Sequence, residues 1–254
     1  MMLKQTICNL LLGCCILFAS CETDTAVNQE IDQDRIMSDV KLAYEYPVKP
    51  TSPEWNTLTD RQKQEVCQIP ESILLGLKTR DLIEVILAYP LLNDLYNAPS
   101  VQFGLMGLSS FNAFSEIREH ENVVTAITDI YKLRMDRLEA LEENYSEEAK
   151  KQFIQEISSI ELLVSQMIVN RKNDTVSPLE ERKNLMRALL SSYEAKLNRP
   201  KYFDRLAIET NLYARRLVFD VYYFNWSYLD NKWLSLSDAE IQRIDQQSRA
   251  FLEE

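Results

Sequence analysis

The chain has 254 residues, enough for one sizeable core, and carries 39 acidic against 28 basic residues, a formal net charge of −11. This balance excludes nucleic acid as a partner, because binding to phosphates needs a basic surface. Only four residues are glycine, too few for most turn-rich β architectures. We therefore expect a helical protein that does not bind nucleic acid.

Residues 1–21 predict a lipoprotein signal peptide. Lys4 is the only charge before an apolar run from Leu10 to Ala19, which is too short to span a bilayer. The run ends in Phe18-Ala19-Ser20-Cys21, which resembles the lipobox of bacterial lipoproteins and implies cleavage before Cys21 and acylation of that residue. A buried apolar helix with chance cysteines is the alternative. The pattern predicts an outer-membrane lipoprotein in the envelope of a Gram-negative bacterium, facing the periplasm or the surface, with the membrane as a partner through its acyl chains.

A second lipobox-like sequence precedes the first. Leu11-Leu12-Gly13-Cys14 fits the same four-residue pattern. Cleavage there would leave only a very short apolar run after Lys4, and we therefore favour Cys21 as the acylated residue.

Residues 22–54 predict a flexible spacer between the lipid and the domain. The first part is acidic and polar and has too few apolar residues to offset the entropy of ordering. Pro47, Pro50 and Pro53 then favour an extended, semi-rigid backbone.

Two tripeptides resemble the sequon for protein O-glycosylation in some exported bacterial proteins. They are Asp24-Thr25-Ala26 in the spacer and Asp174-Thr175-Val176 in a predicted loop between helices. The resemblance implies modification of Thr25 and Thr175, although a plain polar turn explains the same residues.

Residues 55–254 predict a single all-α domain of roughly eight to ten helices, packed as an irregular bundle or a short solenoid. Thr59, Ser177 and Ser237 each begin a sequence typical of a capping box. Apolar residues then recur at intervals of three and four, most regularly between Phe153 and Met167.

The stretch from Ile69 to Tyr96 is the most interrupted part of this domain. Pro70 fits the first position of a short helix, and Thr79 is suited to cap the next one. Pro90 disfavours helix at the residue before it, so this helix should end near Tyr89. We expect three short helices that form a buried corner.

Several residues within roughly 55–131 carry a family resemblance. They are Ile69-Pro70, Leu82-Ile83-Glu84, Tyr89-Pro90-Leu91-Leu92, Gly104 and Phe111-Asn112. This pattern resembles a family of uncharacterised exported helical proteins of Gram-negative gut anaerobes. The resemblance implies an extracytoplasmic location and a helical fold, and it implies no activity and no site residues.

No catalytic residue, metal site or cofactor is predicted. After cleavage Cys67 would be the only free thiol, and its apolar surroundings predict a buried, inert side chain. His120 is the only histidine and lies between Glu119 and Glu121, where a solvated helix end is expected. Spacing alone identifies no carboxylate pair among 39 acidic residues.

Aromatic residues are dense between Tyr222 and Trp233. If any are exposed, Tyr223, Trp226 and Trp233 are the expected ligand-binding residues, since such rings suit sugars and inserted peptide side chains. Packing in the core explains the same residues.

Two functions fit these features. The first is a lipid-anchored envelope protein that acts as a binding module for a protein, peptide or glycan. The second is an envelope hydrolase that uses two carboxylates. A broad exposed apolar patch would favour the first, and a buried pocket that holds carboxylates with raised pKa values would favour the second.

Overall fold

The computed structural model describes residues 41–138, 145–170, 175–220 and 236–254, and in that part the protein is all-α. The lipobox with Cys21, the sequon at Thr25 and the aromatic residues Tyr223, Trp226 and Trp233 lie outside the described residues.

Eleven α-helices and one short 3₁₀ helix, Pro53–Thr57, occur in this part of the chain. The α-helices are α1 (Asp60–Val66), α2 (Glu71–Leu74), α3 (Thr79–Leu87), α4 (Asp94–Asn97), α5 (Val101–Leu108), α6 (Asn112–Ile117), α7 (Val123–Asp136), α8 (Glu147–Met167), α9 (Leu179–Leu197), α10 (Arg205–Phe219) and α11 (Asp238–Glu253). Two-residue strands β1 (Val169–Asn170) and β2 (Thr175–Val176) form an antiparallel pair between α8 and α9.

The long helices form a bundle. Helix α10 packs against α8, α9 and α11, and α7 packs against α3, α8 and α9. A solenoid stacks each unit only on its neighbours along the chain, so these cross-contacts identify the bundle alternative. Among the short helices α1–α6, α3 makes the main contacts with the long helices, on α7 and α8.

Helix ends follow the capping chemistry of the sequence in most places. Thr59 and Ser237 form complete capping boxes with Gln62 and Glu240. The capping box predicted at Ser177 is wrong, because Pro178 is the N-cap of α9 and the hydroxyl of Ser177 donates to the carbonyl of Ile168 at 2.8 Å.

The predicted corner at Pro90 is confirmed, with one change at its start. Helix α3 ends at Leu87 and buries Leu82, Ile83 and Ile86. Thr79 does not cap α3. It is the first residue of that helix, and its hydroxyl donates to the carbonyl of Glu121 at 3.2 Å, which ties α3 to the start of α7.

The packed core begins before residue 55. Tyr46 is buried, and its hydroxyl donates to the backbone carbonyl of Val85 on α3 at 2.9 Å. Its ring lies 6.1 Å from that of Tyr89 and 6.3 Å from that of Phe111. The end of the predicted spacer is therefore part of the folded unit.

Candidate functional site

A cleft with a volume of about 220 Å³ lies between the end of α3 and one face of α8. Ala149, Gln152, Phe153, Glu156 and Ser159 form the α8 wall. Their spacing of three and four residues places them on one side of that helix. The opposite wall comes from α3, from the turn that follows it, and from Leu42 near the start of the described chain.

A buried arginine joins two glutamates at the base of this cleft. The guanidinium of Arg134 on α7 donates from Nη2 to Glu84 Oε2 at 2.5 Å and from Nε to Glu156 Oε1 at 3.1 Å. Arg134 is fully buried, and 14% of the Glu156 side chain is exposed. Since a buried charge is stable only when paired, the guanidinium fixes the positions of both carboxylates.

One guanidinium leaves the two carboxylates incompletely balanced. Glu84 Oε1 and Arg134 Nη1 are buried and have no hydrogen-bond partner among the described residues. Buried polar atoms without a partner are uncommon in a protein interior, and a role in catalysis or a bound water or ion can explain them. Both carboxylates of this cluster also line the cleft.

Burial raises the pKa of Glu156 to about 7, and the negative charge of Glu84 adds to the rise. Arg134 and Arg137 oppose it, since a nearby positive charge favours the ionised form. Burial also raises the pKa of Glu84, against the opposing effect of Arg134. Glu156 thus changes its protonation state near neutral pH while it faces the cleft.

Tyr96 fixes the far end of the α8 wall. Its hydroxyl lies 3.0 Å from Ser159 Oγ and donates to the backbone carbonyl of Gln155 at 3.2 Å. Burial raises the pKa of Tyr96, so the phenol stays neutral at physiological pH. Helix α4, which carries Tyr96, therefore holds the polar end of the cleft in place.

A second ionic cluster lies deeper in the bundle. Each carboxylate oxygen of Glu161 on α8 accepts a hydrogen bond from Lys196 Nζ at 2.7 Å. Glu161 also accepts hydrogen bonds from the side chains of Thr210, Asn211 and Tyr131. Glu161 and Lys196 are both fully buried. This cluster is closed to solvent and both carboxylate oxygens have partners, so its role is to hold helices α7 to α10 together.

The candidate site residues of the sequence analysis that the structure describes lie outside the cleft. Thr175 is exposed on β2, where a modifying enzyme can reach it. Cys67 is buried, as predicted, and burial raises the pKa of its thiol to about 11. His120 is less solvated than expected, because Nε2 lies 3.4 Å from Glu116 and only 17% of its side chain is exposed.

The cleft cluster was missed by the sequence reasoning, although a signal was present. Glu84 stands between the apolar pairs Leu82-Ile83 and Val85-Ile86, all of which are buried. Arg134 occupies the position expected for an apolar residue in the stripe of α7. Charged residues inside apolar stripes are therefore the sign by which the cluster is recognisable.

No protein-family model, no curated protein and no solved structure matches the chain. Within the described ranges, no three His, Cys, Asp or Glu side chains converge in an arrangement that could hold a metal ion. The helices in that part of the chain are all too short or too polar to cross a bilayer.

Proposed function

We propose that the protein is a lipid-anchored envelope module that binds its partner by taking one side-chain-sized group into the cleft between α3 and α8. The observation that carries this proposal is an open cleft with largely apolar walls and a buried, incompletely balanced carboxylate cluster at its base. Ligand sites usually combine apolar walls with a few converging polar groups. The lipobox and the spacer sequence support the envelope location.

The size of the cleft limits what it can enclose. A volume of about 220 Å³ is below the roughly 300–1,000 Å³ of pockets that enclose whole drug-sized ligands. A single amino-acid side chain or one terminal group of a larger molecule fits this space. The partner is therefore a peptide, protein or glycan that inserts one group.

The charge of the cluster indicates the chemistry of that group. Glu84 and Glu156 share the charge of Arg134, so the ionised cluster has an excess negative charge beside the cleft. The positive charges of Arg80 and Arg137 act on the same carboxylates and reduce this excess. A group with an apolar stem and a cationic end, such as a lysine or arginine side chain, matches both the walls and the carboxylates.

The test uses butylammonium and butylguanidinium as probes, with butanol as the uncharged analogue, in calorimetric titrations at pH 6 and pH 8. Wild type should bind the cations about tenfold more tightly at pH 8, because the ionised form of Glu156 is the competent one and a pKa of about 7 sets its fraction. Glu156→Gln should remove this pH dependence.

Glu148→Gln is the matched control, since Glu148 is an exposed residue of the same helix. It should bind as wild type does. Equal affinity for butanol and butylammonium, or unchanged binding by Glu156→Gln, would overturn the assignment of the cleft.

The alternative function is an envelope hydrolase that uses paired carboxylates. It is favoured by one observation, that Glu156 combines a pKa of about 7 with a second carboxylate, Glu84, in the same cleft. A carboxyl group of this kind can donate a proton at neutral pH. Glu84 is less suited to a catalytic role, because it is buried and bound to Arg134.

Mass spectrometry separates the two functions. Peptidoglycan fragments and envelope peptides are incubated with wild type and with Glu156→Gln. A binding module returns them unchanged, whereas a hydrolase yields cleavage products that are absent from the variant.

A further inference from the structure

Helix α5 presents an apolar face to solvent. Phe103 is 58% exposed and Met106 is 54% exposed. Gly107 completes this face, since a Cβ built there meets no atom within 4 Å. We call these three residues the α5 face. Helical spacing places them on one side of α5, and Gly104, which packs against Leu95, lies at the edge of that side.

The chain around α5 is uncharged. The 21 residues from Leu95 to Ser115 contain no Asp, Glu, Lys or Arg, although such residues make up 26% of the whole chain. An apolar, uncharged face on an otherwise acidic protein marks an interaction surface rather than an ordinary solvated helix.

The start of the described chain lies near this face. Tyr89 lines both the cleft that contains Leu42 and the groove beside α5 that contains Phe103 and Gly104. Tyr46 packs against Tyr89 and against Phe111, which follows α5. The segment that leads from the N-terminus therefore enters the domain beside α5.

We propose that the α5 face rests in the interfacial layer of the bilayer to which the N-terminal acyl chains are attached. This inference rests on the proposed lipid anchoring. Between Cys21 and Lys41 lie residues 22–40, a length that spans at most about 65 Å when fully extended. Because the anchored chain enters the domain beside α5, this length keeps the α5 face within reach of the lipid.

A second copy of the chain fits the face less well. A stable protein interface buries about 800 Å² on each partner. A helix of eight residues is only about 12 Å long, and its two exposed side chains supply a small part of that area. The face also has no charged group to fix the orientation of a protein partner. An apolar layer needs neither the area nor the charge.

The side chains of the α5 face fit a shallow insertion. An interfacial helix buries one face at the boundary between headgroups and acyl chains and keeps its other side in contact with the protein. The net charge of −11 repels anionic headgroups, so zwitterionic lipid is the favourable surface.

The test compares two variants that each carry one added cysteine, Met106→Cys on the α5 face and Leu197→Cys on α9. Leu197 is 51% exposed and apolar like Met106. Each is prepared as the acylated protein on phosphatidylcholine vesicles and as a protein of residues 22–254 in solution. The rate of labelling with a membrane-impermeant maleimide is measured, and the buried Cys67 serves as the internal background.

The cysteine at position 106 should react at least tenfold more slowly on vesicles than in solution, while the cysteine at position 197 should react at the same rate in both. If the protein floats with the vesicles but position 106 is labelled at the same rate on vesicles and in solution, the contact of the α5 face with lipid is wrong and the anchoring still holds. Failure of the acylated protein to float would overturn the anchoring and the contact together.

A separate measurement tests the second copy as occupant. If labelling at position 106 of the protein of residues 22–254 slows as its concentration rises, the face is a self-association surface and the lipid assignment is wrong. If lipid is what covers the α5 face, the labelling rate in solution should not depend on the protein concentration.

Discussion

At the residue scale, the protonation of Glu156 has a consequence for stability. Burial raises its pKa from 4.5 to about 7, so the folded state holds this proton more tightly than the unfolded state. The resulting stabilisation is present at pH 5, where Glu156 is protonated in the folded state. It is lost as the pH rises through 7, because the unfolded chain ionises the carboxyl group freely, whereas the folded state must ionise it where it is buried.

Glu156→Gln cannot titrate, and this gives the first prediction. The free energy of unfolding of wild type, minus that of Glu156→Gln, should fall by about 2–3 kcal/mol between pH 5 and pH 8. Urea unfolding at the two pH values measures the difference. Glu148→Gln should follow wild type at both. Parallel pH profiles for wild type and Glu156→Gln would show that the carboxyl group titrates as an exposed one does.

Single residues also show where sequence reasoning reaches its limit. The burial of Cys67 followed from its apolar neighbours, and the structure confirms it. The pairing of Arg134 with Glu84 and Glu156 did not follow, because the partners lie 50 and 22 positions away along the chain. Only the packing of α7 between α3 and α8 brings them together.

At the scale of elements, the buried Glu161 cluster links four helices. Lys196 on α9 donates to Glu161 on α8 and to the carbonyl of Ala207 on α10, and Tyr131 on α7 completes the set. Removal of the cation leaves a buried carboxylate unpaired. Lys196→Met should therefore reduce the free energy of unfolding by about 3–5 kcal/mol in guanidinium titrations.

The double variant Glu161→Gln with Lys196→Met is the control for this prediction. It removes both charges, so it should be more stable than Lys196→Met alone. If Lys196→Met costs less than 1 kcal/mol, or if the double variant is the less stable of the two, the cluster does not act as an ion pair in the core.

The two glycines of α5 make a matched pair. A Cβ at Gly104 would lie 2.6 Å from the carbonyl oxygen of Leu95, whereas one at Gly107 meets nothing within 4 Å. Gly104→Ala should cost about 1–3 kcal/mol, because α5 must move away from α4. Gly107→Ala should be neutral or stabilise by up to about 1 kcal/mol through its helix propensity. Thermal unfolding of both variants decides this, and similar effects would contradict the close packing of α5.

The sequence does not distinguish the two glycines, and only Gly104 makes a close approach. Phe103 and Met106 recur at helical spacing with the buried Phe111 and Phe114, yet the first two are exposed. An apolar pattern shows which side of a helix avoids water, and it does not show whether protein or another surface covers that side.

At the scale of the whole molecule, the all-α class followed from the low glycine content and the helical periodicity, and the structure confirms it. The choice between bundle and solenoid did not follow, because it depends on contacts between helices far apart in the chain. The burial of Tyr46, which precedes the predicted domain, did not follow from the sequence for a related reason. Tyr46 lies in a proline-containing stretch with little periodicity, and its burial depends on a hydrogen bond to Val85 and on the rings of Tyr89 and Phe111.

Tyr46 therefore gives a test of whether the segment that enters the domain folds together with the bundle. Its ring is buried and its hydroxyl satisfies the Val85 carbonyl, so Tyr46→Ala should lower the free energy of unfolding by on the order of 3–5 kcal/mol. Tyr46→Phe keeps the ring and should lose only about 1 kcal/mol.

The unfolding of Tyr46→Ala should be followed by two signals, far-ultraviolet circular dichroism for the helices and near-ultraviolet circular dichroism for aromatic packing. Both transitions should shift together, because a single domain unfolds in one cooperative step. Two separated transitions in that variant would mean that residues 41–52 dock on an independently stable bundle, and the orientation of the α5 face toward the anchor would then depend on a contact that opens without global unfolding.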